Sequence, residues 1–483
     1  MAAALSAKIL ESLPPVDEEA ADRLLERELL TAPRKIVVLD DDPTGVQTVH
    51  GVSVYTSWTE EAVLAGFAEE NRVFYILTNS RGMSASESAA VHREIGKNIA
   101  AAAEKTGRTF MVMSRSDSTL RGHYPLETDI LREAMEADGI TADGEILCPF
   151  FKEGGRFTIG DVHYVRQGEL LVPAADTEFA RDRTFGYSHS SIPEYIEEKT
   201  GGACRASSVT SVSLDRLRAA DFDGITEQLL SVRNYGRVCV NAVDYADLKV
   251  FAVSLYRAVR QGKHFLFRTA AGLVRVLGGI PEIPLLKREQ MVEPGRGKGG
   301  LVVVGSHTQK TTAQLKRLLE LEGTVPVAFD SDRVLDGDEA LDAEVRRCVA
   351  EEERIIREGK TAVCFTRREL LSVGGDTKES ALKRSVKISG AVKDLVARLG
   401  VRPSFIVAKG GITSSDIGTK ALGVRKAVVM GQIIPSVPVW RTGSESRFPG
   451  MAYVIFPGNT GDEGSLRQAV MILQGDPGGP EPG

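Results

Sequence analysis

Three carboxylates in a row, Asp40, Asp41 and Asp42, end the apolar run 36-IVVL-39, and the motif closes with Thr44 and Gly45 in 41-DDPTG-45. Like charges crowded at a buried strand end repel one another, so their presence calls for a compensating use. Two further stretches carry the same kind of side chain. The run 114-SRSDSTLRGHYPLE-127 holds Arg115, Asp117, Ser118, Thr119, Arg121, His123 and Glu127, and 149-PFFKEGGRFTIGDVHYV-165 holds Lys152, Arg156, Asp161 and His163. Arginine grips a carboxylate through two parallel N–H donors, while aspartate accepts hydrogen bonds from sugar-like hydroxyls. Together they suit a small polyhydroxylated acid. Taken singly, each has a simpler role: Asp-Pro-Thr-Gly is a turn with a helix cap, SDST is a capping pattern, and His123 or His163 alone is a structural histidine. The combination favours the chemical reading.

The C-terminal half offers a different chemistry. Its loops 305-GSHTQKT-311, 409-KGGITSSD-416 and 457-PGNTGDEGS-465 carry glycines and hydroxyls in place of carboxylates. Glycine permits close backbone approach, and N–H groups beside a helix start hold phosphate oxygens. Each loop by itself is ordinary turn chemistry; three in one half point to a phosphate cradle. Neither GxxxxGK[ST] nor GxGxxG occurs at these places, so the P-loop and Rossmann fingerprints are not met. One half for a polar acid and one for phosphates describe a kinase that closes over its cleft and excludes water. In-line transfer then needs a hydroxyl near the γ-phosphate, a cation and a proton acceptor.

Short apolar runs precede these loops. Strands are expected at 35–40, 51–58, 73–79, 109–115, 145–150, 236–242 and 264–270, and again at 301–308, 361–367, 404–411, 427–431 and 451–459. Helices are expected at 17–30, 84–105, 245–260 and 309–322. The alternation predicts an α/β chain of two domains, each with a mainly parallel sheet flanked by helices, and an active site in the interdomain cleft. The polar, Pro- and Gly-containing segment 282–300 reads as the linker. The expected divisions are a helical extension at 1–34, an acid-binding domain at 35–290, a nucleotide-binding domain at 291–475 and a disordered tail at 476–483.

Composition narrows the class. The 483 residues include 60 basic and 66 acidic side chains, a net charge of -6, which gives no general attraction for nucleic acid or anionic lipid. Five scattered cysteines form no CxxC pair, which argues against zinc and disulfides and fits a reducing cytoplasm. No run approaches the ~18 apolar residues of a membrane span, and the start lacks the pattern of a signal peptide. A cytoplasmic enzyme without nucleic-acid or membrane partners is expected, with homo-oligomerisation open.

The order of these motifs resembles the four-carbon acid sugar kinase family, whose members include threonate, erythronate and 3-oxo-tetronate kinases. The motif 41-DDPTG-45 is similar to its DDxTG, 115-RSDSTLRG-122 to its K-x-DSTLRG with Arg for Lys, and 149–165 to its GGR-x-T…G-x-HYV block. The stretches 176-DTEFARD-182, 268-RTAAGLV-274, 305-GSHTQKTTAQ-314, 410-GGITSSDI-417 and 431-GQIIPSVPVW-440 follow in family order. The likeness runs from about residue 35 to 466. It implies an ATP- and Mg²⁺-dependent kinase that phosphorylates a hydroxyl of a small sugar acid. Asp41, Asp42, Arg115, Asp117, Arg121 and Arg156 would line the acid site, with Asp41, Asp42, Asp117 and Arg121 as catalytic candidates. Ser306, Thr308, Gly410, Gly411, Ile412, Thr413, Gly458 and Asn459 would contact ATP. No metal ligands are singled out, and which aspartate acts as base stays open. Asp40 has no counterpart in the family motif. Two departures stand out: 456-FPGNTGDEG-464 replaces the family's Lys-Ser-Gly-Asn-Phe-Gly, and PSVP replaces PGVP. Asp462 is either a further carboxylate at the anion site or the cap of the following helix. The rival readings are a sugar-acid sensor that binds without catalysis and a nicotinamide-dependent dehydrogenase.

Overall fold

The computed structural model describes residues 2–475 apart from 32, 370, 372–376 and 459, with backbone only for residues 378 and 379. The tail 476–483, expected to be disordered, lies outside the described residues. The chain divides into two compact units, Met1–Glu282 and Ile283–Gly483.

In the first unit the strands are β1 (Leu5–Ser6), β2 (Lys35–Asp40), β3 (Ser53–Tyr55), β4 (Val73–Leu77), β5 (Phe110–Arg115), β6 (Gly144–Cys148), β7 (Arg156–Ile159), β8 (Val162–Gln167), β9 (Leu170–Pro173), β10 (Thr210–Val212), β11 (Gly236–Val240) and β12 (Phe265–Thr269). Eight of them form a parallel sheet in the order β10-β11-β6-β12-β5-β2-β4-β3. Ile36, Val37, Val38 and Leu39 are all buried, as both faces of a helix-covered parallel sheet require. From β2 the chain first builds β3 and β4 on one side and then β5 on the other. That reversal opens a crevice at the carboxyl end of β2, where ligands of such sheets bind. The long helix Ala85–Thr106 starts at a capping box made by Ser84 and Glu87 and stops at Gly107, whose φ of 64° is left-handed.

A small antiparallel sheet, β1-β9-β8-β7, sits on this frame. It corrects two expectations. Residues 149–165 are not one loop: β7 and β8 form a hairpin that turns at Gly160 and Asp161, with φ of 56° and 65°. The N-terminal 34 residues are not purely helical, because Leu5–Ser6 pairs with Leu170–Leu171.

The second unit contains β13 (Gly300–Val304), β14 (Thr324–Phe329), β15 (Thr361–Thr366), β16 (Phe405–Lys409), β17 (Lys426–Ile434), β18 (Val437–Thr442) and β19 (Ala452–Phe456). Its sheet order is β17-β18-β19-β16-β13-β15-β14, parallel from β19 to β14 and antiparallel at β17 and β18. Pro326 is tolerated in β14 because that strand is the edge of the parallel run. The segment read as a linker belongs largely here, so the division falls at 282/283 and not at 290/291. Leu286, Met291 and Val292 are core residues, and the Leu286 N–H donates to the Gln432 carbonyl at 2.8 Å. Among the described residues no helix is long and apolar enough to cross a membrane.

Candidate active site

The first unit gathers its charged residues at the carboxyl ends of β2, β4 and β5. The row of aspartates is neutralised by two arginines. Arg81, on the short turn after β4, grips Asp41 with two N–H donors, Nε at 3.0 Å and Nη2 at 2.7 Å, and its Nη1 reaches Asp42 at 3.4 Å. Arg115, the last residue of β5, donates to Asp40 at 2.9 Å and to Asp41 at 3.4 Å. The three carboxyls then differ. Burial pushes Asp40 up while Arg115 partly holds it back, and burial likewise raises Asp41 against Arg81 and Arg115. For Asp42 burial is outweighed by Arg81 and by the Thr44 N–H and hydroxyl, so its carboxyl sits below the usual range. Asp40 is a support: it anchors Arg115 in the interior. Gly45 fits against it, since a Cβ there would lie 2.1 Å from the Asp40 carboxylate.

Asp117 is the meeting point of the second cluster. Its Oδ2 accepts from Arg121 Nε at 2.8 Å and from the Thr119 hydroxyl. Its Oδ1 accepts no hydrogen bond among the described residues and has Arg81 Nη1 at 3.9 Å. Burial raises this carboxyl, but Arg81 and Arg121 more than offset it, so Asp117 is held well below the usual carboxylate range. Arg121 and Arg156 lie over the same ring, Phe179, at 5.0 and 5.5 Å from its centroid. Asp182 stands 3.8 Å from Arg121. Arg156 donates to the Gly154 carbonyl, and its buried Nε has no hydrogen-bond partner among the described residues. Asp41, Asp42, Arg115, Asp117, Arg121 and Arg156 are therefore one cluster.

The loop that carries Asp117 and Arg121 is pinned carbonyl by carbonyl. His163 Nε2 donates to the Ser118 carbonyl, the Tyr187 hydroxyl to Thr119, the Tyr195 hydroxyl to Leu120 and Arg268 Nη2 to Arg121, each at 2.8 Å. All four donors are buried. They hold Leu120 at a φ of 69°, a left-handed conformation that costs a non-glycine residue ~1–3 kcal/mol. Burial lowers His163 to about 4, which keeps the ring neutral, with one nitrogen on Ser118 and the other 3.0 Å from Thr158 Oγ1. His123, Lys152, Asp161 and Glu127 are structural here. His123 contacts the carbonyls of Ser80 and Met83, Lys152 pairs with Asp244, Asp161 ties down Asn241 and Ser211, and Glu127 accepts from Ser88 and Ser114.

In the second unit the loops after β13, β16 and β19 converge. Thr308 caps the helix Gln309–Leu318, its hydroxyl accepting from the Thr311 N–H at 3.2 Å. The Thr311 hydroxyl reaches Ser306 Oγ at 3.1 Å and the Gly458 carbonyl at 3.2 Å. Gly410 has a φ of 118° and packs on Ser306, while Gly305 leaves room only for Thr413, whose Oγ1 would be 2.2 Å from a Cβ. Gly411, Ile412 and Thr413 open the helix Gly411–Asp416, with the Ile412 side chain 76% exposed. Asn459 lies outside the described residues. The buried Lys409 donates to the carbonyls of Pro457 at 2.6 Å and Gly458 at 3.1 Å and lies 4.3 Å from the Phe456 ring centroid. Asp462 serves the following helix: its Oδ1 accepts from the Gly464 N–H and the Ser465 hydroxyl. Ser436, in the PSVP turn, takes a φ of 65°, a position that favours glycine. No group of three or more His, Cys, Asp or Glu among the described residues is arranged to hold a metal ion.

Arg81, Arg268 and Phe179 were not assigned roles from sequence. Arg81 follows the expected strand 73–79, and the rule that located the other loops would have found it. The pinning of the loop is testable. Tyr195→Phe strips the Leu120 carbonyl of its buried donor and should cost about 1–3 kcal/mol in urea unfolding; an unchanged midpoint would show that this carbonyl needs no donor.

Residues 36–277 match the family model of a sugar-binding N-terminal domain, and residues 301–466 match that of a nucleotide-binding C-terminal domain. A D-erythronate kinase of Heliobacterium modesticaldum is 25% identical over 315 residues, covering 62% of this chain and 64% of that protein, so the match spans less than two thirds of the relative's length. Two solved structures share the fold. One is from Salmonella typhimurium LT2, with a TM-score of 0.63, 18% identity and coverage of 90% of this chain and 98% of the other. The second is a Haemophilus influenzae protein, with a TM-score of 0.58, 17% identity and coverage of 90% and 100%. With both domain models matched in order over most of its length, the chain belongs to the four-carbon acid sugar kinase family.

Proposed function

We propose that this protein is an ATP-dependent kinase that phosphorylates a hydroxyl of a small four-carbon sugar acid such as threonate, erythronate or 3-oxo-tetronate. The observation that carries the reading is Asp117: an ionised carboxylate with one oxygen saturated, the other open, and the Arg121 and Arg156 guanidiniums alongside. The open Oδ1 accepts the hydrogen bond of the reacting hydroxyl. As that oxygen bonds to the γ-phosphorus and the bond to the β-phosphate oxygen breaks, the proton passes to Asp117 and ADP leaves. A carboxylate held this acidic is a weak base, which suits a loose transition state in which the proton moves late. Arg121 and Arg156 balance the acid's carboxylate and the transferring phosphoryl charge. Asp42, the more exposed of the remaining pair, accepts from a second hydroxyl, and Arg81 keeps Asp41 and Asp42 in place.

The glycine and hydroxyl loops of the second unit support ATP as donor: Ser306, Thr308, Gly410, Gly411, Ile412, Thr413 and Gly458 would border its phosphates, with Asn459 assigned by family likeness. The described residues do not form a carboxylate cage for Mg²⁺. A divalent cation brought in with the nucleotide would offset part of its phosphate charge.

ADP release measured over a panel of four-carbon acids should single out one or a few substrates. Asp117→Asn should lower kcat by about 10²–10⁴-fold while ATP affinity stays within a few fold. Full turnover in that variant, or tight acid binding with no ADP from any acid, would overturn the reading. Lys409 gives a second, independent check. Burial lowers its ammonium to about 7, so at pH 8 it is mostly neutral in the free protein. A phosphate anion nearby favours the charged form. Nucleotide binding at pH 8 should therefore take up part of a proton, seen as a dependence of calorimetric enthalpy on the buffer's ionisation enthalpy, and Lys409→Met should remove it. The same shift means that, without nucleotide, this group adds stability as pH rises from about 7 towards the ordinary lysine range.

A further inference from the structure

At the amino ends of β5 and β12, opposite the aspartate–arginine cluster of the same sheet, the first unit holds a cavity of about 240 Å³. Its walls are apolar: Met111, Met135, Val259 and Phe265 are buried around it, and Ala103 and Ile140 complete them. Its rim is basic. Arg34, Arg108, Lys263 and His264 border it; among the described residues no Asp or Glu lines it, the Asp143 carboxylate being held behind the rim by Lys263 and the His264 N–H. Two of these cations are already engaged: Lys263 pairs with Asp143 at 2.9 Å, and Arg108 donates to the Glu69 carbonyl at 3.1 Å. Arg34 is different. It is half-buried, lies near the His264 ring, and has no hydrogen bond or ion pair among the described residues.

Among the described residues the electrostatic neighbours of Arg34 are the neutral Tyr256 and His264, so at the mouth of an apolar chamber this guanidinium is free to take up an anion. Apolar cavities of about 150 Å³ take up benzene, so this one has room for a longer hydrocarbon. We infer that the cavity is a binding site for a small carboxylic acid with an apolar body, an alkyl or aryl chain of about six to nine carbons. The carboxylate sits on Arg34 beside His264, and the chain lies between Met111, Met135 and Val259. A sugar acid is a poor occupant, since its hydroxyls would find no partners on the methionine and valine walls. The site is thus separate in chemistry and in place from the one proposed for the kinase substrate.

Titration calorimetry of the full chain with octanoate tests this without any assay of turnover. One saturable site is expected, at least about tenfold weaker in Arg34→Gln, where a charged hydrogen bond is lost. Octan-1-ol, of equal length and no charge, should bind at least about tenfold more weakly than octanoate for the same reason. Ala103→Phe should abolish binding by filling the chamber. Ile140→Trp fills it from the loop side and serves if the first variant fails to fold, as judged by far-UV circular dichroism. The inference falls if the wild type shows no saturable binding up to about 5 mM. It also falls if Arg34→Gln and the filled variant bind octanoate as the wild type does.

Discussion

The first unit depends on one electrostatic balance, the pairing of three consecutive aspartates with Arg81 and Arg115. Isolated carboxylates buried at a strand end would each cost several kcal/mol, and their repulsion would add to that cost. Arg115 ends β5 and Arg81 lies on the turn that follows β4, the two strands that flank β2, so the sheet must form for the charges to be matched. Parallel pairing of β2 with β4 and β5 therefore does more than bury valines: it delivers the counter-charges to the place where the aspartates emerge. The arrangement also makes the three carboxyls unequal, because Asp40 is enclosed, Asp41 is gripped on both oxygens and Asp42, the least buried of the three, is held by Arg81 and Thr44.

The loop bearing Asp117 and Arg121 is fixed by a different principle. Polar side chains from four other parts of the unit each take one successive carbonyl, and the backbone is held in a conformation that it would not choose alone. Two tyrosines, a neutral histidine and an arginine share the task, so no single donor defines the loop. Preorganisation of this kind lets a short, strained loop present a carboxylate in fixed orientation. The second unit shows a plainer version, in which a hydroxyl relay from Thr308 through Thr311 to Ser306 and the Gly458 carbonyl links the glycine loops.

Much of this was legible in the sequence. The β-branched runs pointed to the parallel strands and the mixed Arg and Asp loops after them to the charged stretches, while the family likeness singled out within those stretches the six residues that lie in one cluster. What escaped notice has physical reasons. Arg81 sits in the three-residue turn Ser80–Gly82 with no aspartate beside it in sequence, and the carboxylates it grips, Asp41 and Asp42, are some forty residues upstream. Arg268 looked like a strand residue because it is one; only the packing shows that its guanidinium reaches the Arg121 carbonyl. The hairpin of β7 and β8 was read as a loop because glycines flank short strands whose pairing is with each other and not with the main sheet. Residues 282–300 were read as a linker from their polarity, yet Leu286, Met291 and Val292 pack into the core of the second unit. Lys409 was seen only as part of a glycine loop, since burial of a lysine leaves no local signature.

The contact between Gly45 and Asp40 has a consequence for how this motif can change over time. The glycine of the motif is required by steric occupancy from a residue five positions earlier, one that the family motif does not include. Positions 40 and 45 thus form a linked pair: a side chain at 45 becomes admissible only after the carboxylate at 40 has been shortened or withdrawn. In a lineage that keeps Asp40, the turn is frozen at glycine by an inner neighbour, whatever the ligand outside demands, and drift at one position must wait for the other.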